Sequence, residues 1–167
     1  SGIMVYMGHG FQIDGENYLI PVDANPKSEE DVEVEAINLE YVLKKVNDPN
    51  KPKFIILDAC RDNPFEKDWT SITMGTKKGG FGDVSVPINM EILYTTQKNS
   101  QVQDDNPYVS YFMEELSEGG CLEEIIKSVS KRTYHQKNNQ IPAKYGQLFD
   151  EMCFGNVPNP EPKEDFF

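Results

Sequence analysis

Two apolar runs, each stopping at a residue that can do chemistry, constrain the fold of this chain more than any other feature. IMVYMGHG, residues 3–10, ends on His9-Gly10, and KPKFIILDAC, residues 51–60, ends on Cys60. Short uninterrupted apolar runs bounded by glycine or polar residues read as strands buried on both faces of a parallel sheet. Between them INLEYVLKKVN, residues 37–47, sets Leu39, Val42, Leu43 and Val46 at helical spacing. Strand, helix, strand in that order forms a right-handed βαβ unit whose two strands end at the same sheet edge. Sites in open α/β sheets lie outside those carboxyl ends, so His9-Gly10 and Cys60-Arg61 are expected to face one crevice.

The remaining segments fill in the same α/β class. Asp14-Gly15 in FQIDGENYLIP is a type I′ hairpin signal. SEEDVEVEA reads as an acidic loop before the helix. Residues 66–89, with Gly75, Gly79, Gly80 and Gly82 and no periodicity, read as a long mobile loop. MEILYTT, residues 90–96, is a third strand that leads into the polar loop QKNSQVQDDNP. Val109, Phe112, Met113 and Leu116 mark one helix, and Leu122, Ile125, Ile126 and Val129 a second, with Gly119-Gly120 between them. GQLFDEMCF reads as a last strand. The expected organisation is one domain over residues 1–154 and a proline-rich, acidic, disordered tail over 155–167.

Charge narrows the partners. With 28 acidic against 16 basic residues, the formal net charge is -12, which argues against a nucleic acid partner and suits a basic substrate. No run is long enough to span a membrane, and no secretory signal pattern opens the chain. Three cysteines, Cys60, Cys121 and Cys153, match neither a disulfide framework nor a Cys-x-x-Cys zinc site. They favour a reducing, cytoplasmic setting with at least one free thiol. Cys121, at a helix start, reads as structural and Cys153 as core. Of the two histidines, His135 sits in a polar helix end, whereas His9 lies at the edge with Cys60. A thiol beside an imidazole is a nucleophile with its base at hand.

YMGHG and LDACRDNPF, with GENYLIPVDA between them, resemble the caspase-like cysteine peptidases, and within them the paracaspase and bacterial metacaspase-related branch. The resemblance covers residues 3–154, and the separation of 51 residues between His9 and Cys60 agrees with the caspase spacing. It implies a three-layer α/β/α fold around a mostly parallel sheet, with the family's first strand and helix missing from this chain. It implies His9 as general base and acid, Cys60 as nucleophile, and the backbone N–H groups of Gly10 and Cys60 as the oxyanion hole.

Departures from the caspase signature bear on specificity. Asp58 stands where that signature has glutamine, and Asp62 where it has glycine. In the paracaspase and metacaspase relatives the acid two before the cysteine binds arginine or lysine, so Asp58 implies a peptide or protein substrate with a basic P1 residue. Asp104 or Asp105 would supply a second acid of that pocket. The basic pair Lys77-Lys78 is a candidate self-cleavage site. The resemblance also allows a homodimer of this chain through the last strand, as in paracaspases. The chemistry needs no cofactor; calcium activates some metacaspases, but SEEDVEVE reads as a solvated acidic stretch and no metal is expected. Two other readings are a catalytically silent interaction module of the same fold, and a relative with a different P1 preference.

Overall fold

The computed structural model describes residues 1–60, 84–95, 106–136 and 141–155. A mixed sheet of six strands carries helices on both faces. The strands are β1 (Gly2–Ile13), β2 (Glu16–Ile20), β3 (Ile37–Asn38), β4 (Lys53–Cys60), β5 (Met90–Tyr94) and β7 (Ala143–Gln147), and the sheet order is β3-β2-β1-β4-β5-β7. β1, β4 and β5 run parallel, whereas β2 pairs antiparallel with β1 and β7 antiparallel with β5. A separate two-stranded ribbon joins β6 (Gly120–Cys121) to β8 (Cys153–Phe154).

β4 is the centre of the molecule. Phe54, Ile55, Ile56 and Leu57 are at most 1% exposed, and strand alternation sends them to opposite faces. Phe54 and Ile56 pack with Leu93 beneath helices α3 (Tyr108–Glu118) and α4 (Leu122–Gln136), against Phe112, Leu122, Ile126 and Val129. Ile55 and Leu57 meet Leu39 and Leu43 of helix α2 (Leu39–Val46) on the other face. Full burial of each such side chain contributes about 1.5–3 kcal/mol, so Phe54 to Leu57 anchor the strand that leads to Cys60.

The expected hairpin is present. Asp14 and Gly15 both adopt positive φ, 48° and 88°, the pair of left-handed residues a type I′ turn needs. Several expectations are corrected. First, β1 does not stop at Gly10 but runs on to Ile13, changing neighbours as it goes. It pairs with β4 from Gly2 to His9 and with β2 from His9 to Ile13. Nor is its first half buried on both faces: Ile3 to Tyr6 are only partly covered and Met7 is exposed, because among the described residues that stretch has a strand on one side alone. Second, the acidic segment is a helix, α1 (Glu29–Glu35), whose first turn is capped when the Ser28 side chain accepts the Asp31 N–H. The S-x-x-D pattern at Ser28 was its sequence signal. Third, the final sheet strand is β7, which begins at Ala143 and takes in only Gly146 and Gln147 of GQLFDEMCF, whose Cys153 and Phe154 join the β6 ribbon instead. Met113 also departs from its expected core position and is exposed, although α3 and α4 lie where their periodicity put them.

Candidate active site

The register brings the two motif residues side by side: in the parallel β1–β4 ladder, His9 is the partner of Cys60. Neighbouring strands lie about 4.8 Å apart, so residues 51 apart in sequence become lateral neighbours. His9 is solvent-exposed, and its own face of β1 is that of Ile3 and Val5, the face covered lower down by α3 and α4. Gly10 is buried, pairs with Leu19 of β2, and is the first β1 residue past the end of the β4 ladder.

His9 is held from behind. The Tyr6 hydroxyl, on the opposite face, is shared between the backbone carbonyls of His9 at 2.7 Å and Ile20 at 2.9 Å. Burial pushes the Tyr6 hydroxyl above its usual range, so it stays a donor. Gly8 makes room for it: a Cβ there would lie 2.7 Å from the Tyr6 oxygen. The glycine in MGHG thus serves the packing under the histidine, a role its sequence context does not reveal.

Asp58 is buried, at 8% exposure, two positions before Cys60 and paired with Met7 of β1. Thr95, just past β5, donates its hydroxyl to Asp58 Oδ1 at 2.5 Å, and Asn106, ahead of α3, donates Nδ2 to the same oxygen at 2.7 Å. Desolvation holds the Asp58 carboxyl above the usual carboxylate range despite these two bonds, which favour the ionised form. No cation pairs with it among the described residues. Neither Thr95 nor Asn106 stood out in sequence. Thr95 reads as the end of an apolar strand; the signal at the other residue is the Asn106-Pro107 dipeptide, which marks a turn. Asp104, Asp105, Lys77 and Lys78 lie outside the described residues.

The other cysteines correct the expectation drawn from their number. Cys121 and Cys153 are directly opposed in the β6–β8 ribbon and form a disulfide. Their separation of 32 residues hides a pairing that only the ribbon creates. Glu151 lies beside them, and this trio is the described residues' one grouping with metal-ligand proximity, but both sulfurs are committed to each other. His135, on the exposed end of α4, packs edge-on against Tyr134.

A thiol residue and an imidazole residue on paired positions at the carboxyl edge, flanked by a buried acid, is an arrangement suited to acyl transfer. The caspase-domain family profile matches residues 1–152.

The chain belongs to the caspase-domain family.

The fold agrees: the structure of the Drosophila initiator caspase Dronc superposes with a TM-score of 0.50 at 14% sequence identity, over 86% of this chain and 52% of that one. The chain thus spans about half the length of that structure, and at this identity the likeness concerns the fold alone. Comparison with curated proteins finds no match. Caspase domains are a cysteine peptidase family, and this chain has the α/β caspase-like sheet with helices on both faces. No helix among the described residues is long and apolar enough to cross a membrane.

Proposed function

We propose that this caspase-like domain is a cysteine endopeptidase that cleaves after arginine or lysine, with Cys60 as nucleophile and His9 as its base. The observation that carries the specificity is Asp58, a buried carboxylate held by two neutral donors without a cation among the described residues. Burying a carboxylate without a counter-charge is costly, and the side chain of a basic P1 residue supplies the missing charge. The net charge of -12 draws such substrates to the surface.

In the proposed mechanism the Cys60 thiol passes its proton to His9, and sulfur attacks the carbonyl carbon of the scissile bond. The oxyanion that forms is stabilised by the backbone N–H groups of Gly10 and Cys60. His9 then gives the proton to the departing amine, leaving a thioester that water hydrolyses. Tyr6 and Gly8 support this cycle by fixing the His9 backbone. Asp104 or Asp105 completes the acidic pocket in this proposal, and the Lys77-Lys78 pair is a substrate for self-processing.

A peptidyl acyloxymethyl ketone ending in arginine tests the assignment on the full-length protein. Mass spectrometry should find one adduct, on Cys60, and none in His9→Ala. Absence of the Cys60 adduct, or equal labelling by the analogue ending in aspartate, refutes it. Self-processing predicts a cut after Lys77 or Lys78 in wild type that disappears in Cys60→Ala; a cut in both removes it.

A further inference from the structure

Asp58 makes its two hydrogen bonds in an uneven way. Both donors, Thr95 Oγ1 and Asn106 Nδ2, go to Oδ1. An ionised carboxylate oxygen offers about two lone pairs, so Oδ1 is saturated. We infer that Thr95 and Asn106 are positioning residues for P1 recognition, which lock the Asp58 carboxylate so that Oδ2 is reserved for the basic side chain of the substrate. The inference rests on the P1 pocket proposed above and goes beyond it by assigning the groups that set the acid's orientation.

Each donor is itself held. Thr95 is fully buried, and its N–H donates to the Leu57 carbonyl at 3.2 Å, which extends the β4–β5 register by one pair and sets Thr95 directly beside Asp58. Its β-branched side chain is stiff about χ1. Asn106 has no freedom to flip: its Oδ1 accepts the Tyr108 N–H at 3.2 Å, which turns Nδ2 to Asp58. A rigid strand end and a helix start thus grip one oxygen from two directions.

Among the described residues, the polar contacts of the Asp58 carboxylate are these two bonds. Asp58's paired neighbour on β1 is the uncharged Met7. Thr95 beyond β5 and Asn106 ahead of α3 are uncharged as well. His9 on β1 and Cys60 on β4, each two positions further along its strand, are the titratable residues of those strands at this end. Because the two bonds favour the ionised form while burial opposes it, removing a donor drives the Asp58 titration upward, and the carboxylate is also freed to turn.

The test compares full-length wild type with Thr95→Val, Thr95→Ser and Asn106→Ser. Serine at 95 keeps a hydroxyl, and serine at 106 keeps an acceptor for the helix N–H but is too short to reach Asp58. For a P1 arginine substrate, the acidic limb of kcat/KM should move to higher pH in Thr95→Val and Asn106→Ser. On that limb the loss should be about 3- to 10-fold, the effect of one hydrogen bond. Thr95→Ser should restore the wild-type profile. Carbon-13 NMR of the Asp58 carboxyl should show the same ordering of titration midpoints without turnover. An unmoved midpoint in both Thr95→Val and Asn106→Ser, with the wild type still preferring basic P1, overturns the positioning role alone. So does a Thr95→Ser midpoint displaced as far as that of Thr95→Val. A wild type without preference for basic P1 overturns the proposed pocket and this inference with it.

Discussion

Replacing Asp58 with asparagine separates charge from geometry, because the amide oxygen still accepts from Thr95 and Asn106 while the negative charge is gone. If the carboxylate is the counter-charge of a basic P1 side chain, its loss leaves that cation buried without a partner, at a cost of about 3–5 kcal/mol. At 1.36 kcal/mol per tenfold, this is on the order of 10²- to 10⁴-fold in kcat/KM for arginine and lysine substrates. Stability should move the other way. Burial holds the native carboxyl above its ordinary range, so between the unfolded value near 3.9 and the higher native one the folded state binds more protons. Folding stability is therefore lost as pH rises through that window, and the cost is fully present above the native value. The Asp58→Asn variant, neutral at every pH, escapes it. Urea unfolding at pH 8 should show the variant more stable than wild type, and the difference should vanish in acid. Steady-state assays with matched P1 Arg, Lys and norleucine peptides complete the test. An undiminished kcat/KM for arginine, or an equal loss for arginine and norleucine, refutes the electrostatic role.

Other perturbations follow from packing. Gly8→Ala puts a methyl against the Tyr6 hydroxyl, and breaking its bonds to the His9 and Ile20 carbonyls should cost about 1–3 kcal/mol in chemical denaturation; Tyr6→Phe should lower kcat by the same release of His9. Phe112→Ala empties a fully buried site beside Phe54, whose ring centroid lies 5.9 Å away, and should cost about 3–5 kcal/mol. Cys153→Ser opens a 32-residue loop and should lose about 3–4 kcal/mol on the chain-entropy estimate, with a matching fall in Tm when wild type is reduced. Lys144→Met removes the cation 3.2 Å from Glu91 Oε1. Because Lys144 is partly exposed, this should cost about 1–3 kcal/mol. Glu91 is already held above its usual range by burial, so this loss should be larger at pH 8 than at pH 5.

Patterning carried much of the fold and part of the site. Apolar runs ending at His9 and Cys60, the helical spacing of Leu39 and Leu43, the Asp14-Gly15 turn and the two helices after residue 107 all read directly, because each depends on a local period or a local backbone preference. Less legible were features that depend on who lies beside whom. β1 reads as a fully buried strand, yet partial coverage of Ile3 to Tyr6 reflects its sheet neighbours rather than its composition. The disulfide between Cys121 and Cys153 exists because two short strands meet, which cysteine counting does not reveal.

Asp58 shows the same division within a single residue. Its acidity and its place two before Cys60 are written in the chain, and with them the charge of the side chain it is proposed to bind. That Oδ1 is taken by Thr95 and Asn106, 37 and 48 residues away, is a product of the fold. The same holds for His9 and Cys60: their chemistry is a property of the side-chain types, but their partnership comes from the β1–β4 register. Sequence determines periodicity, turn chemistry and the identity of reactive groups, since these act within a few residues. Lateral register and hydrogen-bond partners across the sheet edge are decided by packing, which alone brings distant positions within bonding distance.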